Sequence, residues 1–263
     1  MIKLEHVVLA SPEQMEFIIE GMRNPMNSHD KSDSFGCDTC KNNFPGYDVT
    51  MREECGGCCS WNSKYIPKDD TMFIGPNDHS LMQRLANAGT DHRKFMRMMP
   101  VYVRITAPLY WWKQFDTYRT GVTPNPMDIE MNSCSTMHKI HEKEFTMEDF
   151  SHDHLINMME EPIPYSENAV YAINVVGMLE ETIDVLNCLR SNYLITKDKK
   201  YWWQMIQLLP SSYNQTRNVM MNYEVLCNIY HSRKEHKLDE WRELCKWIKE
   251  LPYSELIIGK EED

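Results

Sequence analysis

The hydrophobic pattern predicts that the chain begins with a strand followed by a capped helix. The segment IKLEHVVLA, residues 2–10, alternates as a half-buried strand does. In SPEQMEFIIEGM, Ser11 stands at an N-cap position, Pro12 at the first helical position and Gln14 where the partner in a capping box belongs. A strand-to-helix turn near Ser11 is therefore expected.

Periodic patterns return after residue 75 and predict a helix, a strand and a second helix. Apolar residues of PNDHSLMQRLANAG, residues 76–89, share one helical face, and Gly89 stands where a helix often ends. PVYVRITAP, residues 100–108, alternates between apolar and polar side chains, which indicates a strand with one buried face. The segment LYWWKQFDTYR, residues 109–119, resumes a helical pattern.

The second half of the chain is typical of a mostly helical structure. Residues 166–194 are long and apolar enough for a central helix, with Ser166 as its cap. Residues 199–209 predict a helix that stops before a proline. Two more helices are expected over residues 212–233 and 237–251, because apolar residues recur there at helical spacing.

Residues 27–70 have neither period and contain two C-x-x-C pairs. Cys37 with Cys40 and Cys55 with Cys58 are separated by a spacing that suits a four-thiolate zinc site, because each pair can chelate from a tight turn. A disulfide or redox pair and free thiols remain alternatives, and Cys59 competes with its neighbour as a ligand. The segment is interpreted as an insertion that structural zinc would fold.

The net charge of -11 argues against non-specific binding to nucleic acids or to anionic membranes, both of which need a basic face. No run of apolar residues reaches the length of a membrane span, and the first residues lack the apolar core of a signal peptide. We therefore expect a cytoplasmic protein with no nucleic-acid or membrane partner.

Four histidines have spacings that occur in metal sites: His138, His141, His152 and His154. We interpret them as polar surface or pocket residues, since no carboxylate pattern accompanies them. No glycine-rich nucleotide loop and no G-x-S-x-G nucleophile elbow is present in the sequence. The usual glycine-rich routes to nucleotide binding are therefore not supported.

The stretch APLYWWKQFDTYRT resembles the signature of the flavin-dependent thymidylate synthases. That signature has an Arg-Gln pair, an aromatic residue and Arg-His-Arg, followed later by Asn-Glu-x-Ser-x-Arg-Tyr. Lys113 and Gln114 fall on the Arg-Gln pair, and Arg119 falls on the last arginine. Asn132 and Ser135 fall on the Asn and the Ser of the second half.

A second region is similar to the same family. After a Leu-Pro, the family carries on a late helix an Asn, an Arg two positions on, an Asn six on and an Arg eleven on. Here the Leu-Pro at 209–210 precedes Asn222, Glu224, Asn228 and Arg233, so three of the four match at unchanged spacing. The resemblance covers about residues 80–140 and 205–245.

The signature also departs from the family at several positions. Thr117 and Tyr118 replace the first Arg and the His, Ser133 replaces the Glu, and Met137 with His138 replaces Arg-Tyr. These changes remove positive charge that would hold phosphates, and each charge-assisted contact contributes about 1.5 to 3 kcal/mol. Three cations are candidates to replace it: Lys94, Arg97 and Lys139.

The resemblance implies an α+β fold, with an antiparallel-rich sheet flanked by long helices. It implies a single domain over residues 1–263 that carries the Cys-rich insertion. It also implies an enzyme that methylates dUMP to dTMP, with methylenetetrahydrofolate as the one-carbon donor and FAD, reduced by NADPH, as the hydride source. Family members are homotetramers, so a homotetramer acting on a pyrimidine nucleotide is expected.

Site residues follow from the resemblance position by position. The implied nucleotide-binding set is Lys113, Gln114, Asn132, Ser135 and Arg233. The implied catalytic residues are Ser135 and Gln114. The implied flavin-binding set is Arg119, Asn222, Asn228 and His92.

The chemistry of these residue types agrees with flat, phosphorylated ligands. Asn and Gln amides can match the imide edge of a flavin or a pyrimidine, and arginine can bind phosphate through two hydrogen bonds. Trp111, Trp112 and Tyr118 could stack on a ring. The alternative for the two tryptophans is the hydrophobic core, and the alternative for the polar residues is an ordinary exposed surface.

Three functions therefore remain open from the sequence. The first is a divergent flavin-dependent thymidylate synthase. The second is an enzyme of the same fold that modifies another pyrimidine nucleotide, since the altered positions would face the base and the phosphate. The third is a non-catalytic protein that binds nucleotides or acts as a scaffold.

Overall fold

A computed structural model describes residues 2–36, 72–118, 129–164 and 172–259. The chain is α+β, as expected, with an antiparallel four-stranded sheet in the order β1-β4-β8-β5 and several helices. Several residues named above lie outside the described residues, and the inferences on them stay predictions: Cys37, Cys40, Cys55, Cys58, Cys59 and Arg119. Ser166 also lies outside them, but its predicted role as the cap of the long helix is wrong, because Asn174 is the N-cap of that helix.

The strands are β1 (Lys3–Leu9), β2 (Phe35–Gly36), β3 (Met72–Phe73), β4 (Pro100–Pro108), β5 (Glu130–Ser133), β6 (Ile163–Pro164), β7 (Ala172–Ile173) and β8 (Asn214–Asn222). The α-helices are α1 (Pro12–Arg23), α2 (Pro76–Asn87), α3 (Leu109–Phe115), α4 (Val175–Thr196), α5 (Lys199–Leu208), α6 (Tyr223–Arg233), α7 (Asp239–Lys249) and α8 (Glu255–Ile258). Short 3-10 turns include Lys94–Met98 and Asp116–Tyr118.

The predicted strand-to-helix start is confirmed in detail. The Ser11 hydroxyl accepts a hydrogen bond from the Gln14 backbone N–H at 3.2 Å, and the Gln14 side chain accepts from the Ser11 N–H at 2.9 Å. This reciprocal pair satisfies two amides at the start of α1 that have no partner within the helix. The strand predicted at 100–108 is also confirmed, with Val101, Val103 and Ile105 buried.

The prediction of one helix over residues 212–233 is wrong. Asn214–Asn222 is strand β8, which pairs with β4 and β5, and only Tyr223–Arg233 is helical. Asn and Thr have low helix propensity, and pairing on both sides satisfies the backbone of this segment. Asn222 then caps the helix, since its Oδ1 accepts from the Val225 N–H at 2.9 Å.

The long helix expected from residue 166 begins at Val175 instead. Asn174 is the N-cap, and its Oδ1 accepts from the Gly177 N–H at 2.9 Å. Ala172 and Ile173, which were expected inside the helix, form β7 and pair with β6. The local cap and this strand pairing explain why the helix starts later than the apolar pattern suggests.

Two compact units divide the chain. Within the described residues, the first unit contains Thr106–Asp116 and Asn132–Arg217, and the second contains Leu4–Ile105, Thr117–Met131 and Asn218–Asp263. A hydrophobic cluster of the first unit is built from Ile140, Phe145, Phe150, Leu179, Ile183, Leu186 and Met205. Fully buried side chains of the second unit include Met15, Met82, Trp241, Leu244 and Ile248.

A buried ion pair in the second unit fixes the start of α2. Arg23 Nε lies 2.5 Å from Asp78 Oδ1, and both side chains are almost fully buried. Burial disfavours ionisation of Asp78, but hydrogen bonds from Ser34, Ser32 and Arg23 hold its pKa below the usual value. The network joins the segment before β2 to α2, next to the pairing of β2 with β3.

Candidate functional site

Helix α3 holds Lys113 and Gln114 on a tightly packed aromatic base in the first unit. Trp111, Trp112 and Phe115 are essentially inaccessible, with ring centroids 4.9 to 5.3 Å apart. Lys113 is exposed and Gln114 is half-buried. The two tryptophans therefore belong to the hydrophobic core, which confirms the core interpretation of this pair, and they do not form a platform for a ligand ring.

Asn132 and Ser135 lie on β5 and in the loop that follows it, and both are exposed. The Ser135 hydroxyl oxygen accepts from the backbone N–H groups of His138 at 2.9 Å and Met137 at 3.3 Å. This local bond stabilises the turn after Ser135. The loop is held further by Trp202, whose Nε1 donates to the Met137 carbonyl at 2.9 Å.

Gln215 on β8 connects α3 with the Ser135 loop inside the first unit. Its side-chain nitrogen donates to the Cys134 carbonyl at 2.7 Å, and its backbone carbonyl accepts from Trp112 Nε1 at 2.9 Å. Arg217, two residues on, donates from Nε to Gln215 Oε1 at 2.9 Å. These bonds tie the helix and the loop of the expected nucleotide side to one strand.

Arg217 is the part-buried cation of this network. Its guanidinium carbon lies 4.2 Å from the centre of the Trp112 ring, and its Nη1 lies 2.7 Å from Asp116 Oδ1. The Arg217 side chain is 13% exposed, against 46% for Asp116. A guanidinium stacked on an indole and paired with a carboxylate is held firmly in place.

Arg233, at the end of α6 in the second unit, has a different environment. Its Nε donates to the Tyr118 hydroxyl at 2.7 Å, and its guanidinium carbon lies 4.8 Å from the Trp241 ring centre. Among the described residues, no carboxylate lies within ion-pair distance of it. Tyr118, which stands where the family has a histidine, thus orients a retained arginine without neutralising its charge.

Two arginines and a buried carboxylate surround Asn228 on α6. Arg97 Nε lies 2.7 Å from Glu224 Oε2, and Arg93 Nε lies 3.4 Å from Oε1 of the same carboxylate. Arg93 also donates to Asn228 Oδ1 at 3.4 Å. Glu224 therefore binds both guanidiniums, and Arg93 links this carboxylate to Asn228.

Three of the predicted site residues share helix α6 or its N-cap. Asn222 caps α6, while Asn228 and Arg233 lie on that helix and contact different neighbours. His92 is exposed and directly precedes Arg93. The other predicted ligand-binding residues that the structure describes belong to the first unit: Lys113, Gln114, Asn132 and Ser135.

The three cations proposed to restore lost charge differ in their surroundings. Arg97 is occupied by Glu224, and the exposed Lys139 lies 2.5 Å from Glu142. Glu142 raises the pKa of Lys139 through a hydrogen bond and its charge. Lys94 is exposed. Arg217 and Arg93 are cations that sequence reasoning missed.

Among the described residues, no three or more His, Cys, Asp or Glu side chains are grouped so that they could hold a metal ion. His141 packs edge-on against Tyr193 at 4.8 Å, and His152 Nδ1 lies 2.9 Å from the Phe150 carbonyl. Within the described segments, none of the helices combines the length and apolarity that a membrane crossing requires.

The order of strands and helices defines the class of fold. The chain has the fold of the flavin-dependent thymidylate synthases. One such solved structure, the flavin-dependent thymidylate synthase ThyX from Helicobacter pylori complexed with FAD and dUMP, matches with a TM-score of 0.55 and 15% identity. The match covers 98% of this chain and 97% of the Helicobacter chain.

A second kind of enzyme shares the fold. The UMP/dUMP methylase PolB from Streptomyces cacaoi, bound with 5-Br dUMP, matches with a TM-score of 0.51 and 12% identity over 97% of this chain and 94% of its own. No protein-family model matches this chain, and no curated protein matches it either. At these identities the likeness establishes the fold alone.

Proposed function

We propose that this chain is a divergent flavin-dependent thymidylate synthase, which methylates the pyrimidine of dUMP to give dTMP. It would use FAD, NADPH and methylenetetrahydrofolate. The observation that carries the proposal is the group Asn222, Asn228 and Arg233. These residues match the family at unchanged spacing, and all three lie on α6 or at its N-cap in a chain with that fold.

Arg233 is the residue we assign to the nucleotide phosphate. Its guanidinium is oriented by Tyr118 and Trp241, while its charge has no carboxylate partner among the described residues. An oriented, uncompensated guanidinium suits an anionic oxygen. In the first unit, the residues that we assign to the nucleotide by the family resemblance are Lys113, Gln114, Asn132 and Ser135, with Gln114 and Ser135 acting on the base.

The flavin side would be formed by Asn222, Asn228, His92 and Arg119. Arg93 fixes the Asn228 amide on this side, since its Nη2 donates to Asn228 Oδ1 at 3.4 Å. When bound, the flavin would supply the hydride for the methyl group. The protein residues would orient the two ligands and exclude water.

Modification of another pyrimidine nucleotide is the second candidate. The fold match to a UMP/dUMP methylase supports it, since the same fold accommodates a ribonucleotide in that enzyme. Ser133 and Met137 differ from the thymidylate synthase signature; Ser133 ends β5, and Met137 lies in the loop that carries Ser135. A changed loop there would alter which sugar or base is accepted.

We also propose a cytoplasmic homotetramer whose 263 residues form one domain. Apolar side chains are unusually exposed on two helices of the first unit, at Met178, Val185, Ile195, Trp203 and Leu208. Faces of this kind are commonly buried between subunits. Light scattering of the purified protein should give four times the 31.2 kDa chain mass, and a monomer would contradict the assembly.

The visible spectrum of the purified protein is the first test of the enzyme. A flavin absorption band, present as purified or after incubation with FAD, is expected. Tritium release from 5-tritiated dUMP and from 5-tritiated UMP, with folate and NADPH present, then separates the two candidates. A colourless protein that takes up no FAD would reject both and favour the non-catalytic alternative.

Structural zinc in the Cys-rich segment is a separate proposal. Metal analysis should find about one zinc per chain in the wild type and much less in the Cys37→Ser and Cys55→Ser variants. Cys188→Ser is a matched control, because this exposed cysteine lies on α4. Equal zinc content in all four proteins would contradict the assignment.

A further inference from the structure

An open groove in the second unit has a volume of about 930 Å³. One wall is a single face of α2, where Ser80, Gln83, Arg84 and Asn87 follow the i, i+3, i+4, i+7 spacing. The opposite side is formed by His231 and its neighbours on α6 and by the end of α8. A groove of this size is in the range of small-molecule sites.

The charged groups of this groove are cationic. Arg84 and Arg93 line it with guanidiniums and His231 lines it with an imidazole, and within the described part of the chain no Asp or Glu side chain does. Arg93 is held in place by Glu224, and its Nη1 donates to Cys227 Sγ at 3.2 Å. In a chain with a net charge of -11, such a lining marks a local preference for an anion.

Backbone geometry keeps parts of the groove wall free of side chains. Gly89 and Gly259 both line it, with φ values of +99° and +76°. L-residues with side chains rarely adopt these values. A Cβ at Gly259 would lie 3.6 Å from Asn87 Oδ1, so the glycine also preserves space beside that polar side chain.

We propose that this groove binds a phosphorylated small molecule of about nucleotide size, with its phosphate against Arg84, Arg93 and His231. Guanidinium and imidazole donors recognise phosphate oxygens. Ser80, Gln83 and Asn87 offer neutral donors and acceptors for a sugar or base, and Ile258 offers apolar contact. Among the lining residues, Arg93 also contacts Asn228 of the proposed flavin side, and none of the others is assigned above to flavin or pyrimidine nucleotide.

Titration calorimetry of the purified protein tests this site with AMP, inorganic phosphate and adenosine as probes. AMP should bind saturably, phosphate should compete with it, and adenosine should bind much more weakly. Arg84→Gln and His231→Gln should each weaken AMP binding by about tenfold or more, because each removes a donor to the phosphate. Both residues are exposed, so these variants should fold.

Two further variants separate the effect of the groove's charge on AMP binding from the effect of its shape. Arg104→Gln is the matched control, since Arg104 is an exposed arginine of the same unit outside the groove, and AMP binding should not change. Ser80→Trp should obstruct the groove without altering its charge, and it should weaken AMP more than phosphate. Ser80 is exposed on α2, so a larger side chain there is compatible with folding.

Three results would overturn the proposal. The first is no saturable AMP or phosphate binding, and the second is AMP binding that Arg84→Gln, His231→Gln and Ser80→Trp leave unchanged. The third is loss of FAD uptake in parallel with loss of AMP binding in Arg84→Gln, because the groove would then belong to the flavin site. A colourless protein that binds AMP through Arg84 would support the groove proposal and reject the proposed enzyme. The failure of one proposal can therefore be distinguished from the failure of the other.

Discussion

Arg217 and Arg233 are both stacked on a tryptophan, yet their surroundings suit opposite uses. Arg217 lies 4.2 Å from the Trp112 ring centre and 2.7 Å from a carboxylate oxygen of Asp116. Arg233 lies 4.8 Å from the Trp241 ring centre, and its hydrogen-bond partner is the neutral hydroxyl of Tyr118. The aromatic ring fixes a guanidinium in both places, but the second partner decides whether its charge stays available.

Asp116 offsets the charge of Arg217 within the fold, whereas the phenol of Tyr118 leaves the charge of Arg233 for a ligand. We therefore interpret Arg217 as a structural residue that ties α3 to β8, and Arg233 as a residue that faces an anion. The interpretation of Arg233 depends on the proposed function, and the interpretation of Arg217 does not. Variants of each arginine test these two interpretations.

Replacing Arg217 with Ala should have the largest effect, a loss of about 3 kcal/mol in the free energy of unfolding. The change removes the stack on Trp112 and leaves the buried Gln215 Oε1 without its donor. Urea denaturation followed by fluorescence measures it. Arg104→Ala, at an exposed arginine with one 3.4 Å bond to Asn218, should cost under about 1 kcal/mol. Equal stability of the two variants would show that Arg217 is not structural.

Replacing Arg233 with Gln should mainly affect binding. We expect affinity for dUMP to fall about thirtyfold, or about 2 kcal/mol, because a charge-assisted contact with phosphate is lost. Stability should change by less than about 1 kcal/mol. Calorimetric titration with dUMP measures the effect, with Lys234→Gln as a control for the loss of a charge one residue away. Equal weakening by both variants would assign the effect to general electrostatics.

The sequence predicted best where a structure depends on neighbours along the chain. The Ser11 cap, the alternation in β4 and the stripe of α7 are local patterns, and the structure has all of them. The prediction of a helix over residues 214–222 failed because the strand conformation of this segment depends on pairing with β4 and β5. Interpreted as a strand, in which alternate residues share a face, this segment would have placed Gln215 and Arg217 on one face of the sheet.

The sequence predicted which residues belong to the candidate site better than it predicted which of them contact each other. Spacing identified Asn222, Asn228 and Arg233, which all lie on or at the cap of α6. It missed the cluster at Glu224, since Arg93 and Arg97 lie 131 and 127 residues away in sequence. It also treated Tyr118 only as a departure, although its hydroxyl orients Arg233. Such partnerships need the tertiary fold.

The Tyr118→Phe variant tests whether Tyr118 orients Arg233, and it should lower the affinity for dUMP less than Arg233→Gln does. The ring packing against Trp241 remains, but the acceptor for Arg233 Nε is lost. Affinity for dUMP should fall about fivefold, or about 1 kcal/mol, since one hydrogen bond orients the guanidinium. The double variant with Arg233→Gln should bind no more weakly than Arg233→Gln alone. Additive losses would mean that Tyr118 acts independently of Arg233.

The Asp116→Asn variant should have the smallest effect, about 0.5 kcal/mol of unfolding free energy. The Asp116 side chain is 46% exposed, so water and salt screen its attraction to Arg217. Added salt should therefore abolish this loss, whereas the loss in Arg217→Ala should persist, because stacking on Trp112 and the Gln215 bond lie in the interior. Urea denaturation of both variants at low and high salt measures the difference. If salt removed the Arg217→Ala loss as well, the ion pair would be its main stabilising contact, and burial on the tryptophan would not be what makes this arginine structural.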